Sequence, residues 1–209
     1  PVGDYVAAAR RRDRAPRIGF VPDHMETAQP VISEHIREVA AKFERAGAEV
    51  REVHFPAPFE DILAIRAVIS EVDTAALHAY TFRDHPEGYA PKIRELVEVG
   101  QLTPGFAYIQ AQRLRRKLRP RVEKMLEGID CLLMPTTSDT APDTSITGKN
   151  HFQAPWSLFG FPAITLPSGL SAERMPLAIQ LVAAPFAEET LLSAAGWAED
   201  LLGPMPSPV

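Results

Sequence analysis

Three short apolar runs after residue 130 restrict most strongly how this chain can fold. Cys131–Met134 and Ala163–Leu166 are each followed directly by a proline, and Leu177–Ala183 ends just before Pro185. Short apolar runs that stop at a proline are typical of buried β-strands that end at a loop. Beyond the third run, the sequence predicts a helix that starts near Glu188.

A strand–helix–strand pattern occupies the first part of the chain. Ile18–Val21 is β-branched and aromatic, Val31–Ala46 carries apolar residues at helical spacing up to Gly47, and Glu49–His54 is a second strand. Strands joined by a helix are usually parallel. We therefore predict an α/β fold with a mixed β-sheet flanked by helices.

Two long helices are predicted between these parts, over Phe59–Tyr80 and Pro104–Leu126, the second of them kinked at Pro120. For the domain organisation we predict a linker or helical lead-in over residues 1–16 and a single α/β domain over residues 17–209. Length permits this, because 209 residues can bury one substantial core.

Composition excludes several classes of function. A net charge of -5 argues against nucleic acid as a partner, because phosphate binding needs a concentrated basic surface. Cys131 is the only cysteine, which rules out an internal disulfide, and its place in a buried strand predicts a packing role. No apolar run approaches the roughly 20 residues that span a bilayer. We expect a cytoplasmic protein without membrane contact.

The order of motifs resembles the C-terminal half of the amidase-signature family, whose members hydrolyse or transfer amide C–N bonds. The motifs are R-I-G-F-V-P at 17–22, D-C-L-L-M-P-T-T at 130–137, W-S-L-F-G-F-P-A-I-T-L-P-S-G at 156–169 and M-P-L-A-I-Q-L-V at 175–182. The resemblance implies an amidase-signature-like fold and a small amide as substrate.

The same resemblance implies that the catalytic groups lie elsewhere. In this family a serine, a second serine and a lysine lie on a Gly/Ser-rich segment before the matched region, and this chain contains no Ser-Ser pair and no Gly-Gly-Ser run. We predict no catalytic residue in this chain and a partner that supplies the N-terminal segment. Because the sequence starts at Pro1, we also expect it to be truncated from, or encoded downstream of, something longer.

A substrate-binding wall is predicted after the strand Cys131–Met134, because ligands of α/β proteins bind at the carboxyl ends of strands. The loops Met134–His151 and Phe152–Phe161 have this placement. Their candidate side chains offer hydroxyl, amide and aromatic surface: Thr136, Thr137, Asn150, Gln153, Trp156 and Ser157. The alternative is a polar surface loop followed by a helix cap, and the sequence does not decide between the two.

Comparison with one branch of the family, the glutamine amidotransferases that act on tRNA-bound substrates, adds Arg94. This residue approximately matches an arginine that holds a substrate carboxylate there. Asn150, Gln153 and Ser157 stand where that branch has an aspartate, a threonine and an asparagine. A neutral amide cannot replace an aspartate that pairs with an ammonium group. These departures favour a general amidase lineage.

Two other functions stay open at this point. The chain could be a non-catalytic module that binds a partner or ligand through Met134–Phe161, or a hydrolase that uses Ser138 or Ser157 with His151. No H-E-x-x-H motif or Cys/His pair is present, and we predict neither a metal site nor a cofactor. Because half of an enzyme leaves apolar surface uncovered, we expect a homo-oligomer, most simply a two-fold dimer.

Overall fold

The computed structural model describes residues 3–23, 25–143 and 147–204. The chain divides into two compact units, one formed by residues 1–56 and 121–209 and the other by residues 57–120. The first unit contains the β-sheet, and the second is helical. The boundary between a lead-in and a single following domain stays a prediction.

The first unit is built on a five-stranded mixed sheet with the order β2-β1-β3-β5-β4. The strands are β1 (Arg17–Phe20), β2 (Glu49–Glu52), β3 (Cys131–Pro135), β4 (Ala163–Leu170) and β5 (Pro176–Val182). β1 pairs in parallel with β2 and β3, while β5 pairs antiparallel with β3 and β4. The predicted α/β fold with a mixed sheet is confirmed, and so is the parallel pairing of the first two strands.

One face of the sheet packs against two amphipathic helices, α2 (Pro30–Arg45) and α7 (Glu188–Leu202). The apolar residues of α2 lie three or four apart, so they share one side of the helix. Ile36 and Phe43 are buried there, and Phe43 meets Trp197 of α7 edge-on at 5.4 Å between ring centroids. The sheet contributes Cys131, Leu133, Leu166, Ile179 and Leu181 to this core.

The other face of the sheet carries the alternate side chains, including Leu132 and Met134 of β3. A short helix, α6 (Ala154–Phe159), supplies buried aromatic residues, among which Trp156 is only 1% exposed. The helix ends at Gly160, whose φ of 72° lies in the left-handed region that glycine adopts without strain. Leu132 and Met134 are 0% and 4% exposed, so this face is covered as well.

The N-terminal helix α1 (Tyr5–Arg10) packs along α7. Its first turn is capped by Asp4, whose carboxylate accepts a hydrogen bond from the Ala7 amide at 2.9 Å. The chain that follows it is tied to α7 by an ion pair of 2.6 Å between Arg12 and Asp200. The lead-in is therefore part of the first unit.

A single carboxylate, that of Asp130, joins the starts of the two central strands. It accepts hydrogen bonds from Arg14 at 2.6 and 2.8 Å and from the backbone amide of Arg17 at 2.8 Å. The Asp130 amide in turn donates to the Arg17 carbonyl at 2.8 Å. Burial opposes ionisation of this carboxyl group, but the bonds from Arg14 and Arg17 hold its pKa well below the usual range.

The thiol of Cys131, the next residue, is fully buried in the core between the sheet and its helices. Burial, with a smaller effect of the neighbouring Asp130 charge, raises the pKa of the Cys131 thiol to about 12. A thiol with such a pKa is not a nucleophile at neutral pH. The packing role predicted for this residue agrees with its position.

The second unit contains α3 (Phe59–Asp84), α4 (Pro91–Leu102) and most of α5 (Gly105–Glu123). α3 extends beyond the predicted end at Tyr80, and α5 continues through Pro120 before a 3₁₀ turn. α3 and α4 pack closely, because a Cβ at Gly100 would lie 2.1 Å from the Glu71 carbonyl oxygen. None of the described helices is both long and apolar enough to cross a membrane.

We expect Asp130→Asn to lower the free energy of unfolding by about 1–3 kcal/mol, since it weakens charge-assisted hydrogen bonds to half-exposed arginines. The folded-state pKa of Asp130 is lowered, so its contribution to stability is present above the unfolded pKa of about 3.9 and is lost as the pH falls through the folded value. Urea titrations at pH 7 and pH 3 should therefore differ less for the variant than for the wild type.

The control for this experiment is Asp200→Asn, which breaks the more exposed ion pair with Arg12. It should cost less stability, because solvent screens exposed pairs. Equal losses for the two variants would contradict the assignment of Asp130 as the group that joins the strands.

Candidate functional site

A row of three side chains crosses the face of the sheet that lies opposite α2 and α7. Thr165 of β4 pairs with Gln180 of β5, which pairs with Met134 of β3. The neighbours of these residues along each strand point into the core formed with α2 and α7. Because side chains alternate along a strand, all three lie on the opposite face.

Two hydrogen bonds connect this row to α6 and the turn before it. Gln180 is 2% exposed, and its side-chain amide donates to the Phe152 carbonyl oxygen at 3.0 Å. The Trp156 indole N–H lies 3.2 Å from the Met134 sulfur, which is a weak acceptor. A buried amide needs such a partner, so Gln180 fixes the start of α6 against the sheet.

Thr136 has an unusual position at the carboxyl end of β3. The residue is buried, and its hydroxyl oxygen has no hydrogen-bond partner among the described residues. Leaving a buried hydroxyl unpaired costs about 1–3 kcal/mol. Because the hydroxyl oxygen is itself buried, a ligand would reach Thr136 only if the packing around it opened, as the binding role predicted for this residue requires.

The next residues form a hydrogen-bonded turn around Asp139. The Thr137 hydroxyl donates to the Asp139 carbonyl oxygen at 2.8 Å, and the Ser138 hydroxyl donates to the Asp139 carboxylate at 2.6 Å. Lys149 completes the turn with an ion pair of 3.4 Å to the same carboxylate. The Ser138 hydroxyl is thus bonded to Asp139 rather than to His151, the base of the alternative hydrolase.

A cavity of about 510 Å³ opens beside this turn. Its lining includes Gln29, Thr137, Asp139, Lys149 and Pro176, so the walls combine apolar surface with polar side chains and carry one charge of each sign. Residues 144–146 of the predicted wall lie outside the described residues.

The remaining predicted residues of the wall lie in α6 or in the turn before it. The Asn150 carbonyl oxygen accepts hydrogen bonds from the amides of Gln153 and Ala154, at 3.2 and 3.0 Å, so this residue starts the turn before the helix. Asn150 and Ser157 are exposed, and Gln153 is half-buried. Trp156 is packed against Phe55 with ring centroids 5.4 Å apart.

Arg94 lies in the second unit, on α4, apart in the chain from the other candidates. It is half-buried, and its guanidinium donates to the Pro86 carbonyl oxygen at 2.6 Å. This bond ties α4 to the turn before it. The substrate-binding roles of Arg94 and of the wall residues stay predictions.

Sequence reasoning gives too little weight to two residues of this region. Asp139 does not stand out in the sequence, because it is one of several polar residues in a loop. The sequence does not indicate which of them accepts hydrogen bonds from the others. Gln180 enters only as part of the motif M-P-L-A-I-Q-L-V. A glutamine within an otherwise apolar strand is a usable signal, since a buried amide must have a specific partner.

Comparisons with known proteins agree on one family. The family model described as Amidase matches residues 1–192. One chain of the glutamyl-tRNA(Gln) amidotransferase of Synechococcus sp. (strain RCC307) is 27% identical over 93% of this chain and 47% of its own length. The amidase of Pseudomonas putida is 27% identical over 93% of this chain and 44% of its own length.

The same agreement holds for solved structures. A crystal structure described as an amidase superimposes with a TM-score of 0.83 at 26% identity, covering 91% of this chain and 46% of that one. The chain thus spans about half the length of the relatives that it matches.

We expect Thr136→Val to raise the free energy of unfolding by about 1 kcal/mol, because it replaces an unpaired buried hydroxyl with a methyl group of similar size. The matched control is Thr137→Val, whose hydroxyl is bonded to Asp139 and whose loss should cost about 1 kcal/mol. Chemical denaturation of the two variants measures both changes. A destabilised Thr136→Val variant would show that this hydroxyl already has a partner in the folded chain.

Proposed function

We propose, from the premise that this chain belongs to the amidase family, that it forms the scaffold and one wall of the substrate pocket of an enzyme that hydrolyses amide C–N bonds. The observation that carries the proposal is the match to the Amidase model over residues 1–192, by a chain that spans only about half of its relatives. The contribution of this chain to catalysis and to substrate binding is inferred from the residues of the predicted wall.

The nucleophile is proposed to come from another polypeptide segment. Amide hydrolysis needs an activated nucleophile, a proton acceptor and donors that hold the developing oxyanion. In a serine mechanism, the serine oxygen attacks the amide carbon as its proton passes to a base, and the amine leaves before water releases the acid. The sequence resemblance implies a Ser-Ser-Lys set on a Gly/Ser-rich segment for these steps.

The contribution of this chain is proposed to be positional. Once the packing around it opens, the unpaired Thr136 hydroxyl would bond to the amide substrate, and Gln180 would keep α6 in place through Phe152. A substrate hydroxyl, carbonyl or amide would satisfy Thr136, which favours a polar neutral group at this point. The ion pair between Asp139 and Lys149 leaves no net charge at the cavity beside it.

The first test compares the chain alone with the chain produced together with the coding sequence upstream of its Pro1 codon. We expect no turnover of benzamide or acetanilide by the purified chain, and turnover by the complex. Activity that follows the isolated chain through purification, and that is lost on changing one of its own residues, would contradict the proposal. Absence of a segment with Ser-Ser-Lys character upstream would favour the non-catalytic binding module.

A second test uses Thr136 in the active complex. Thr136→Val should lower kcat/KM by about tenfold, because one hydrogen bond to the substrate is lost. Thr136→Ser keeps a hydroxyl and should retain most of the activity. Equal activities for wild type and Thr136→Val would remove this residue from the substrate site.

The proposal includes a homo-oligomer. Several apolar side chains of the second unit are exposed, with Leu77, Leu102 and Phe106 each more than 70% accessible. Surface of this kind favours association. Light scattering of the purified chain that shows only a monomer would contradict it.

A further inference from the structure

We propose that a cavity bounded by α2, β4 and the end of α7 binds a small carboxylate that carries an apolar body. The site is separate from the predicted wall, because α2 and α7 pack on the face of the sheet opposite Met134 and Gln180. The proposed amidase activity does not require it, so the inference goes beyond that function. It is drawn from an irregular strand, a hydrogen-bonded Ser–His pair and two cations at one cavity.

The cavity has a volume of about 360 Å³. Pockets for small molecules usually measure about 300–1,000 Å³, so it has room for a ligand of modest size. It is lined by residues of α2, by Ser168 of β4 and by Leu202, the last residue of α7. All of these belong to the first unit.

An irregularity in β4 presents Ser168 to this cavity. The register between β4 and β5 shifts between Pro167 and Gly169, and Ser168 has no partner in the described pairing of the two strands. An extra residue of this kind is a β-bulge, which bends the strand and changes the direction of a side chain. The half-buried Ser168 can therefore meet α2 at the edge of the sheet.

Ser168 forms a hydrogen bond with His35 of α2, whose Nε2 lies 2.7 Å from the serine Oγ. The ring can approach because residue 169 is glycine, since a Cβ there would lie 2.7 Å from the His35 Cε1. Burial lowers the pKa of His35, although the charge of Glu38 acts in the opposite direction. The imidazole is therefore neutral at pH 7 and carries one N–H.

The serine proton lacks a good acceptor in the folded chain. In the tautomer with the proton on Nε2, His35 donates to Ser168, and the serine hydroxyl must donate elsewhere. Its other contact is with the Leu177 carbonyl oxygen at 3.4 Å, which is longer than the usual range of about 2.5–3.0 Å for an O–H donor. A carboxylate in the cavity would accept this proton in a shorter, charge-assisted bond.

Two cations from the end of α2, Lys42 and Arg45, line the same cavity. Lys42 is half-buried, and neither cation forms an ion pair with a residue of the described part of the chain. Glu38 is the one acidic group among the described lining residues, and it is exposed. The cavity thus has an excess of positive charge in a chain with a net charge of -5, which favours an anion.

Apolar side chains decide which kind of anion fits. Val39, which is 4% exposed, and Leu202, which packs against the core, both line the cavity. An inorganic anion would leave this apolar surface in contact with water, whereas a carboxylate with a hydrocarbon body would cover it. The carboxylate group would then face Lys42, Arg45 and Ser168.

Titration of the purified chain with sodium benzoate, followed by NMR of the backbone amides, tests the site. We expect saturable shifts at Lys42, Ser168 and Gly169 with a Kd on the order of 1 mM. Benzyl alcohol has the ring without the charge, and inorganic phosphate has charge without the ring, so each should bind at least about tenfold more weakly. No saturable shift up to about 20 mM benzoate would overturn the site, and equally tight binding of phosphate would overturn the ligand class.

Two lysine variants assign the benzoate shifts to one cavity. Lys42→Gln removes a cation from the proposed site and should weaken benzoate binding about tenfold. Lys149→Gln removes the lysine of the cavity beside Asp139 and should leave the Kd for benzoate unchanged. A loss of affinity in Lys149→Gln alone would mean that benzoate occupies the other cavity, which overturns the proposal.

A serine pair tests the hydroxyl donor. Ser168→Ala keeps Gly169 and the imidazole but removes the hydroxyl, and it should weaken benzoate binding by about fivefold. The matched control is Ser193→Ala, which removes a hydroxyl of α7 that bonds to the Arg11 carbonyl oxygen, outside the lining of this cavity. Circular dichroism checks that both variants fold. Binding by Ser168→Ala as tight as that of the wild type would overturn the assignment of Ser168.

Discussion

The sheet of this protein depends on the buried carboxylate of Asp130. It stands where two distant parts of the chain meet, because β1 and β3 are separated in sequence by the whole second unit. By bonding to the Arg17 amide and to two arginine side chains, it aligns Ile18 with Cys131 at the start of both strands. Slipping this register by one residue would turn every side chain of β3 to the wrong face.

The correct register gives the two faces of the sheet different roles. Cys131 and Leu133 enter the core under α2 and α7, which needs no further partner. Met134, Gln180 and Thr165 lie on the other face, to which α6 supplies buried aromatic residues. Gln180 is tolerated there because its side-chain amide donates to a backbone carbonyl oxygen. The hydroxyl of Thr136 has no such partner among the described residues.

Much of the fold could be predicted from the sequence, since the deciding signals are local. Pro135 marked the end of β3, but β4 runs through Pro167 to Leu170, so that predicted strand end was wrong. Helical spacing located α2, and a helix starting near Glu188 was predicted where α7 begins. The antiparallel pairing of β5 with β3 and β4 is set by contacts between distant residues, so no local pattern reveals it. The same limit applies to the site: Thr136 could be chosen as a hydroxyl after a strand, but its lack of a partner depends on the packing around it. The role of Asp139 could not be predicted either, because it depends on the hydrogen bond from Ser138 and the ion pair with Lys149.

The packed core and the candidate site of this chain are formed by different residues. The core under α2 and α7 closes within the first unit, and it accounts for why these residues fold as a compact body. The polar groups lie outside this core: the Thr136 hydroxyl has no partner among the described residues, and the Gln180 side-chain amide donates to the Phe152 carbonyl oxygen. The core accounts for the stability of the first unit, whereas the proposed binding role of the wall depends on residues outside that core.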